Sequence, residues 1–137
     1  MLYRDRADAG RQLAQRLTQF AGRADVTVLP LNRNSDPVAF EVVDALHPAG
    51  NAVWNSTVIL VADGIGDAAD AIAFIREIRR EHPRQVIVAT PVASNDARYD
   101  VALRADQVVC LATPEPFVNV SEWYAEAETE MAEWSTA

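Results

Sequence analysis

The chain has 137 residues, half of them hydrophobic, and 20 acidic side chains outweigh 12 arginines to leave a net charge of −8. The length suits one domain with a core of its own. The acidic balance excludes duplex nucleic acid as a main partner, since no basic stripe can displace counterions, and the absence of lysine excludes Schiff-base chemistry. No apolar run approaches the ~20 residues of a bilayer span, so no membrane association is expected. Met1-Leu2-Tyr3-Arg4-Asp5-Arg6 has no signal-peptide core, and a cytoplasmic protein is expected. Cys110, the single cysteine, sits in an apolar run and reads as a buried structural thiol.

Residues 4–21 predict an amphipathic helix with Leu13, Leu17 and Phe20 on its apolar face and Gly22 as its stop. Asp25 to Pro30 reads as a short strand and Asn32-Arg33-Asn34-Ser35 as a polar loop. Asp36 is placed to cap a second helix, with Pro37 in the favoured first position and Ala39, Val42, Val43 and Leu46 as its buried stripe. His47 and His82 each precede a proline at a predicted helix end, where an imidazole can meet the last carbonyls. Residues 49–56 form a turn-rich connector.

Thr57 to Val61 is a run of β-favouring apolar residues, the pattern of a strand buried on both faces. Asp63-Gly64-Ile65-Gly66-Asp67 follows as a loop, and Asp67 is placed to cap a helix from Ala68 through Ala69, Asp70 and on to His82. Strand, glycine-bearing loop and helix start make a ready anion cradle, yet this one carries three carboxylates. Gln85–Thr90 predicts a further strand, Ser94 caps a helix through Leu103, and Gln107–Leu111 is the last strand. Beyond the loop 112–117, Val120, Tyr124, Ala127, Met131 and Trp134 recur at helical spacing among glutamates. The alternation predicts an α/β fold: three layers, with a mainly parallel four-stranded sheet flanked by helices, in a single domain over residues 1–137. In such sheets ligands bind at the carboxyl ends of the strands.

Neither a Cys/His metal spacing nor a supported Ser-His-Asp set is present. Asp63, Asp67 and Asp70 are oxygen ligands of the kind Mg²⁺ takes, but a solvated loop with helix capping is the simpler reading of them.

Four stretches resemble the phosphoribosyltransferase-like proteins of the type I fold, in a form common among actinobacteria. Tyr3-Arg4-Asp5-Arg6-Ala7-Asp8-Ala9-Gly10-Arg11 is similar to the opening helix. Val28 to Ala39 is similar to the strand and pyrophosphate loop, and Val58 to Asp70 to the phosphoribosyl-pyrophosphate (PRPP) motif. Val108 to Phe117 with Trp123-Tyr124 is similar to the C-terminal loop. The resemblance implies a shortened form of that fold with a degenerate PRPP motif, residues 63–70. Of the motif's two adjacent acids only Asp63 remains, after Ala62. Asp67, Ala68 and Asp70 stand where the family has threonine, glycine and a hydroxyl residue. In the pyrophosphate loop Arg33 remains, while Asn34 and Ser35 replace two glycines. The connector 49–56 stands where the family has several dozen residues, including an edge strand and an active-site lid. Phe117 takes the position of the aromatic that stacks on the base in purine enzymes.

These departures predict a protein that has lost catalysis and serves as a binding or assembly module, with no catalytic residue and no cofactor. The alternative is a phosphoribosyltransferase-type enzyme or nucleotide-binding protein using Mg²⁺ at Asp63 and Asp67, with Asp63 as its catalytic residue. A third reading docks the glutamate-rich C-terminal segment on a basic partner. Loss of the edge strand leaves the first strand exposed, an association hazard, so a homodimer is expected. A right-handed crossover from the first strand directly to the second would require the intervening helix to change sheet face.

Overall fold

The computed structural model describes residues 2–125. Helix α1 (Arg6–Gln15) starts where Asp5 accepts a hydrogen bond from Asp8 N–H, and it ends earlier than the apolar spacing predicts, with Thr18–Phe20 forming a separate 3₁₀ turn. Strand β1 (Val26–Pro30) leads through a 3₁₀ turn at Arg33–Ser35 into α2 (Asp36–Leu46), whose Pro37 lies in the first turn. Then come β2 (Thr57–Val61), α3 (Ala69–Arg80), β3 (Gln85–Val92), α4 (Asn95–Ala102) and β4 (Gln107–Ala112). Ser94 caps α4 by accepting from Ala97 N–H. Among the described residues no helix is long and apolar enough to cross a membrane. The helical spacing that runs on to Ala127, Met131 and Trp134 falls on residues outside those described.

The two histidines end their helices through the backbone rather than the ring. His47 and His82 adopt left-handed φ of 48° and 56°, and their N–H groups donate to Val43 O and Arg79 O, so the imidazoles are not needed as caps.

All four strands are parallel, in the order β1-β2-β3-β4. Register aligns Pro30, Val61, Ala89 and Val109 across the sheet, and Leu29, Leu60, Val88 and Val108 beside them, so successive residues serve opposite faces. On one face Val26, Ile59, Val61 and Ile87 pack against Leu13 and Leu17 of the N-terminal segment and Val38, Val42 and Leu46 of α2. On the other, Val58, Leu60 and Val88 pack against Ala71, Ile75 and Ile78 of α3 and Val101 of α4.

This layering resolves the crossover problem in an unexpected way. The chain steps in one direction across the sheet three times, yet α2 lies on the face opposite α3 and α4. The hand of β1-α2-β2 is therefore opposite to that of the other two crossovers. Since about 98 % of such connections are right-handed, the exception falls on β1-α2-β2. The helix has not changed face. It stays where α1 needs it: a Cβ on Gly10 would stand 2.8 Å from both Glu41 Cβ and Val38 O, a helix contact possible only without a side chain. Val43, expected in the buried stripe, is 41 % exposed, as is Phe40 at 68 %. Both lie away from Glu41, which faces α1 through Arg11.

The outer edge of β1 is less open than expected. Asp25 O accepts from Thr57 N–H and Leu31 N–H donates to Val61 O, so alternation turns the backbone groups of Val26, Val28 and Pro30 outward. Gly50 N–H takes Val26 O at 2.9 Å, Thr27 Oγ1 donates to Ala52 O, and Pro30 has no N–H to offer. Of these three, Val28 alone leaves both groups without a partner among the described residues. A Cβ at position 50 would lie 2.3 Å from Val26 O, so Gly50→Ala should push the connector off the edge. We expect it to cost about 1–3 kcal/mol in urea unfolding. A change below about 0.5 kcal/mol, the range of ordinary surface substitutions, would show that the connector does not hold the edge.

Candidate functional site

At the carboxyl end of β1 and β2 a cavity of about 510 Å³ opens between the Asp63–Asp67 loop, the Asn32–Asn34 loop and residues 117–121. Asp63 lies at its base, 4 % exposed. The strand pattern puts it there: Val61 and Ala62 continue the sheet, Ala62 N–H donating to Ala89 O, and Ile65 still pairs with Ala93. The loop is thus pinned at both ends. Arg6 Nε donates to Asp63 Oδ2 at 3.0 Å. Asp63 N–H donates to the buried Ser35 Oγ at 3.0 Å. The single hydroxyl proton of Ser35 goes to Asn32 Oδ1 at 2.8 Å in preference to Asp63 Oδ1 at 3.4 Å. The hydroxyl of Tyr124 donates to the Asp63 backbone carbonyl, and its ring lies under the Arg6 guanidinium, 4.6 Å away.

This buried node joins both ends of the described chain. Tyr3 bridges to Tyr124, with ring centroids 5.7 Å apart, and its hydroxyl donates to Pro91 O at 2.6 Å. Burial pushes the Tyr3 phenol up to about 12, aided by Cys110 and Asp8. Burial also raises Tyr124, reinforced by the negative charge of Asp63 and partly offset by Arg6. Cys110 is half-buried, its Sγ 3.2 Å from Ala112 O, and burial raises its thiol, which keeps it protonated and unreactive.

The acidic loop caps itself. Helix α3 starts one residue later than expected, at Ala69, and Asp67 Oδ1 accepts its N–H at 2.8 Å. Asp67 and Asp70 are exposed and line the cavity. Neither glycine of the loop has a positive φ. They are small because other side chains press on them. A Cβ on Gly64 would lie 2.6 Å from Val120 Cγ1, and one on Gly66 would lie 2.9 Å from Phe117 Cε1. Ile65, Ala68 and Ala62 are core residues under the loop.

Of the sequence-based candidates, Asp63, Gly64, Ile65, Gly66, Asp67, Asp70, Asn34 and Phe117 converge on this cavity. Ser35 supports it from beneath. Arg33 is exposed and not among the lining residues; the arginine of the site is Arg6, which the sequence reading passed over. Its signal lay in the Tyr3–Arg11 stretch, where the partners of Arg6 and Tyr3 stand 57 and 88 residues away. Phe117 packs on Trp123, centroids 5.9 Å apart, and also borders a second cavity of about 580 Å³ formed with Ser94, Asn95 and Pro114–Pro116.

The set does not fit Mg²⁺. Arg6 already neutralises the buried carboxylate, and among the described residues no three of His, Cys, Asp and Glu are grouped to hold a metal ion.

Both raised tyrosines favour the protonated, folded state, because the unfolded chain ionises first at its ordinary value near 10. Stability is therefore intact below pH 10 and falls as pH rises above it. Melting temperature measured from pH 9 to 12 should decline, and Tyr124→Phe should flatten that decline while lowering the pH 9 stability by about 1–3 kcal/mol for the unpaired Asp63 carbonyl.

No family model matches the chain. Proteins named "Putative phosphoribosyl transferase" from two strains of Mycobacterium tuberculosis are 30 % identical to it over 191 residues, covering 90 % of this chain. The chain spans 43 % of the length of those relatives. The 191 aligned positions exceed its 137 residues by 54, so inside the matched span the relatives carry at least that many residues without a counterpart here. The crystal structure of TT1426 from Thermus thermophilus superposes with a TM-score of 0.82 at 23 % identity, covering 93 % of this chain and 92 % of that one. A hypoxanthine-guanine phosphoribosyltransferase from Bacillus anthracis gives a TM-score of 0.58 at 17 % identity, covering 80 % and 78 %. With four parallel strands, helices on both faces and its cavity at the carboxyl edge, the chain belongs to the phosphoribosyltransferase-like proteins of the type I fold.

Proposed function

We propose that the chain is a binding module on this fold that does not transfer phosphoribosyl groups. The observation that carries the reading is the Asp67 carboxylate on the Ala69 N–H, at the helix start that an incoming phosphate would use. Like charges ~4 Å apart repel by about 4 kcal/mol at an effective dielectric of ~20, on the order of a thousandfold in affinity. The helix dipole returns only ~0.3–1 kcal/mol. Two further features support it: Arg6 already holds the buried Asp63 carboxylate in an ion pair, and Val120 and Phe117 press on Gly64 and Gly66. The connector 49–52 is committed to the β1 edge and cannot act as a lid.

Titration of the protein with PRPP, with and without Mg²⁺, should give no heat and no released pyrophosphate. Asp67→Thr combined with Asp70→Thr should raise phosphate affinity at least tenfold. Turnover by the unaltered chain that disappears in Asp63→Ala would overturn the proposal.

The alternative, a nucleotide-binding protein or enzyme, draws on Phe117, which is half-buried between the two cavities with an edge available for a base. Calorimetric titration with nucleoside monophosphates, with and without Mg²⁺, separates the readings, since only the alternative predicts saturable heat. We also propose assembly as a homodimer, supported by the exposed apolar Phe40 and Val43 of α2. Light scattering should give twice the chain mass at micromolar concentration.

A further inference from the structure

We propose that the cavity at the carboxyl end of β1 and β2 binds a small zwitterion, an amino acid with an apolar side chain. The inference rests on the reading that this site no longer takes a phosphate.

Arg6 carries the first half. Its side chain is 14 % exposed, and Nε is committed to Asp63 Oδ2. The plane is held over Tyr124. A guanidinium has five N–H donors, and among the described residues the four on Nη1 and Nη2 have no acceptor and no second carboxylate within 4 Å, although the residue lines the cavity. None of the four is a fully buried orphan, so they meet solvent at the cavity and are free to take an acceptor there. A rigid fork of this kind matches a carboxylate, which can take both Nη groups at once.

The second half is the acidic rim. Asp67 has given one oxygen to Ala69 N–H, and neither its other oxygen nor Asp70 has a donor among the described residues. Both line the same cavity as Arg6. A ligand bearing only negative charge meets repulsion there, whereas one carrying an ammonium beside its carboxylate is attracted at both ends. The remaining wall includes Leu31, Phe117 and Val118, which suits an apolar side chain, and about 510 Å³ holds a molecule of that size. Anion donor, cation acceptors and apolar wall are together the chemistry of an amino acid and not of a phosphate ester.

The probes are L-leucine and L-methionine, with N-acetyl-L-leucine and L-leucinamide as the forms lacking one charge. Calorimetry and thermal shift on the full chain should show saturable binding of at least one free amino acid and at least tenfold weaker binding of both capped forms. Asp70→Asn alters an exposed side chain, so it should fold normally and lose at least tenfold in affinity. Arg6→Lys keeps a cation near Asp63 without the fork and should lose affinity likewise, with its urea midpoint measured as the check on folding. No binding of either amino acid, equal binding of the capped forms, or an Asp70→Asn variant that binds like the original would overturn the inference. PRPP titrated into the same sample separates the two proposals: heat from PRPP refutes loss of phosphate binding, while silence from PRPP and both amino acids refutes only this one.

Discussion

The carboxylate of Asp63 is held out of water, and the carboxyl edge of the sheet is arranged around keeping it there. Burying an unpaired carboxylate costs several kcal/mol even after relaxation. Arg6 pairs the carboxylate, while Ser35 takes the residue's N–H and Tyr124 fills its carbonyl. These three come from the first helix, the loop after β1 and the segment after β4. A single residue thus ties together parts of the chain that share no secondary structure. Tyr3 and Tyr124 then close the N-terminal segment against the C-terminal one, with Ala125 N–H donating to Tyr3 O and Leu2 and Tyr3 N–H to Trp123 O.

That arrangement explains the loop glycines as well. In an anion cradle glycines let the backbone approach a ligand. Here they let Val120 and Phe117 approach the backbone. The same local sequence signal therefore serves a packing contact instead of a ligand contact, and local composition cannot distinguish the two.

The crossover of unusual hand follows from a different constraint. α1 covers β3 and needs α2 beside it to seal Val26, Ile59 and Val61. Moving α2 to the other face would satisfy the handedness preference and strip that core of its cover. Burial of a whole helix stripe outweighs a preference that acts through strand twist. A helix on this face is also what a connection to a further outer strand would require, in keeping with relatives whose matched span is longer.

Much was legible in the residues themselves. Short β-favouring apolar runs marked all four strands, the 3.6 period with Ser94 and Pro37 marked the helices, and the strand-loop-helix order placed Asp63 and Asp67 at one carboxyl edge. Such features depend on neighbours within a few positions, where backbone geometry and side-chain period act directly. What the tertiary structure alone decided depends on contacts across the chain. It chose Arg6 over Arg33 as the partner of the buried acid, turned Ser35 from a loop residue into a strut, and exposed Val43. It also laid the connector along β1. Each of those outcomes is set by which elements pack together, and a separation of 57 positions between Arg6 and Asp63 leaves no local trace of that choice.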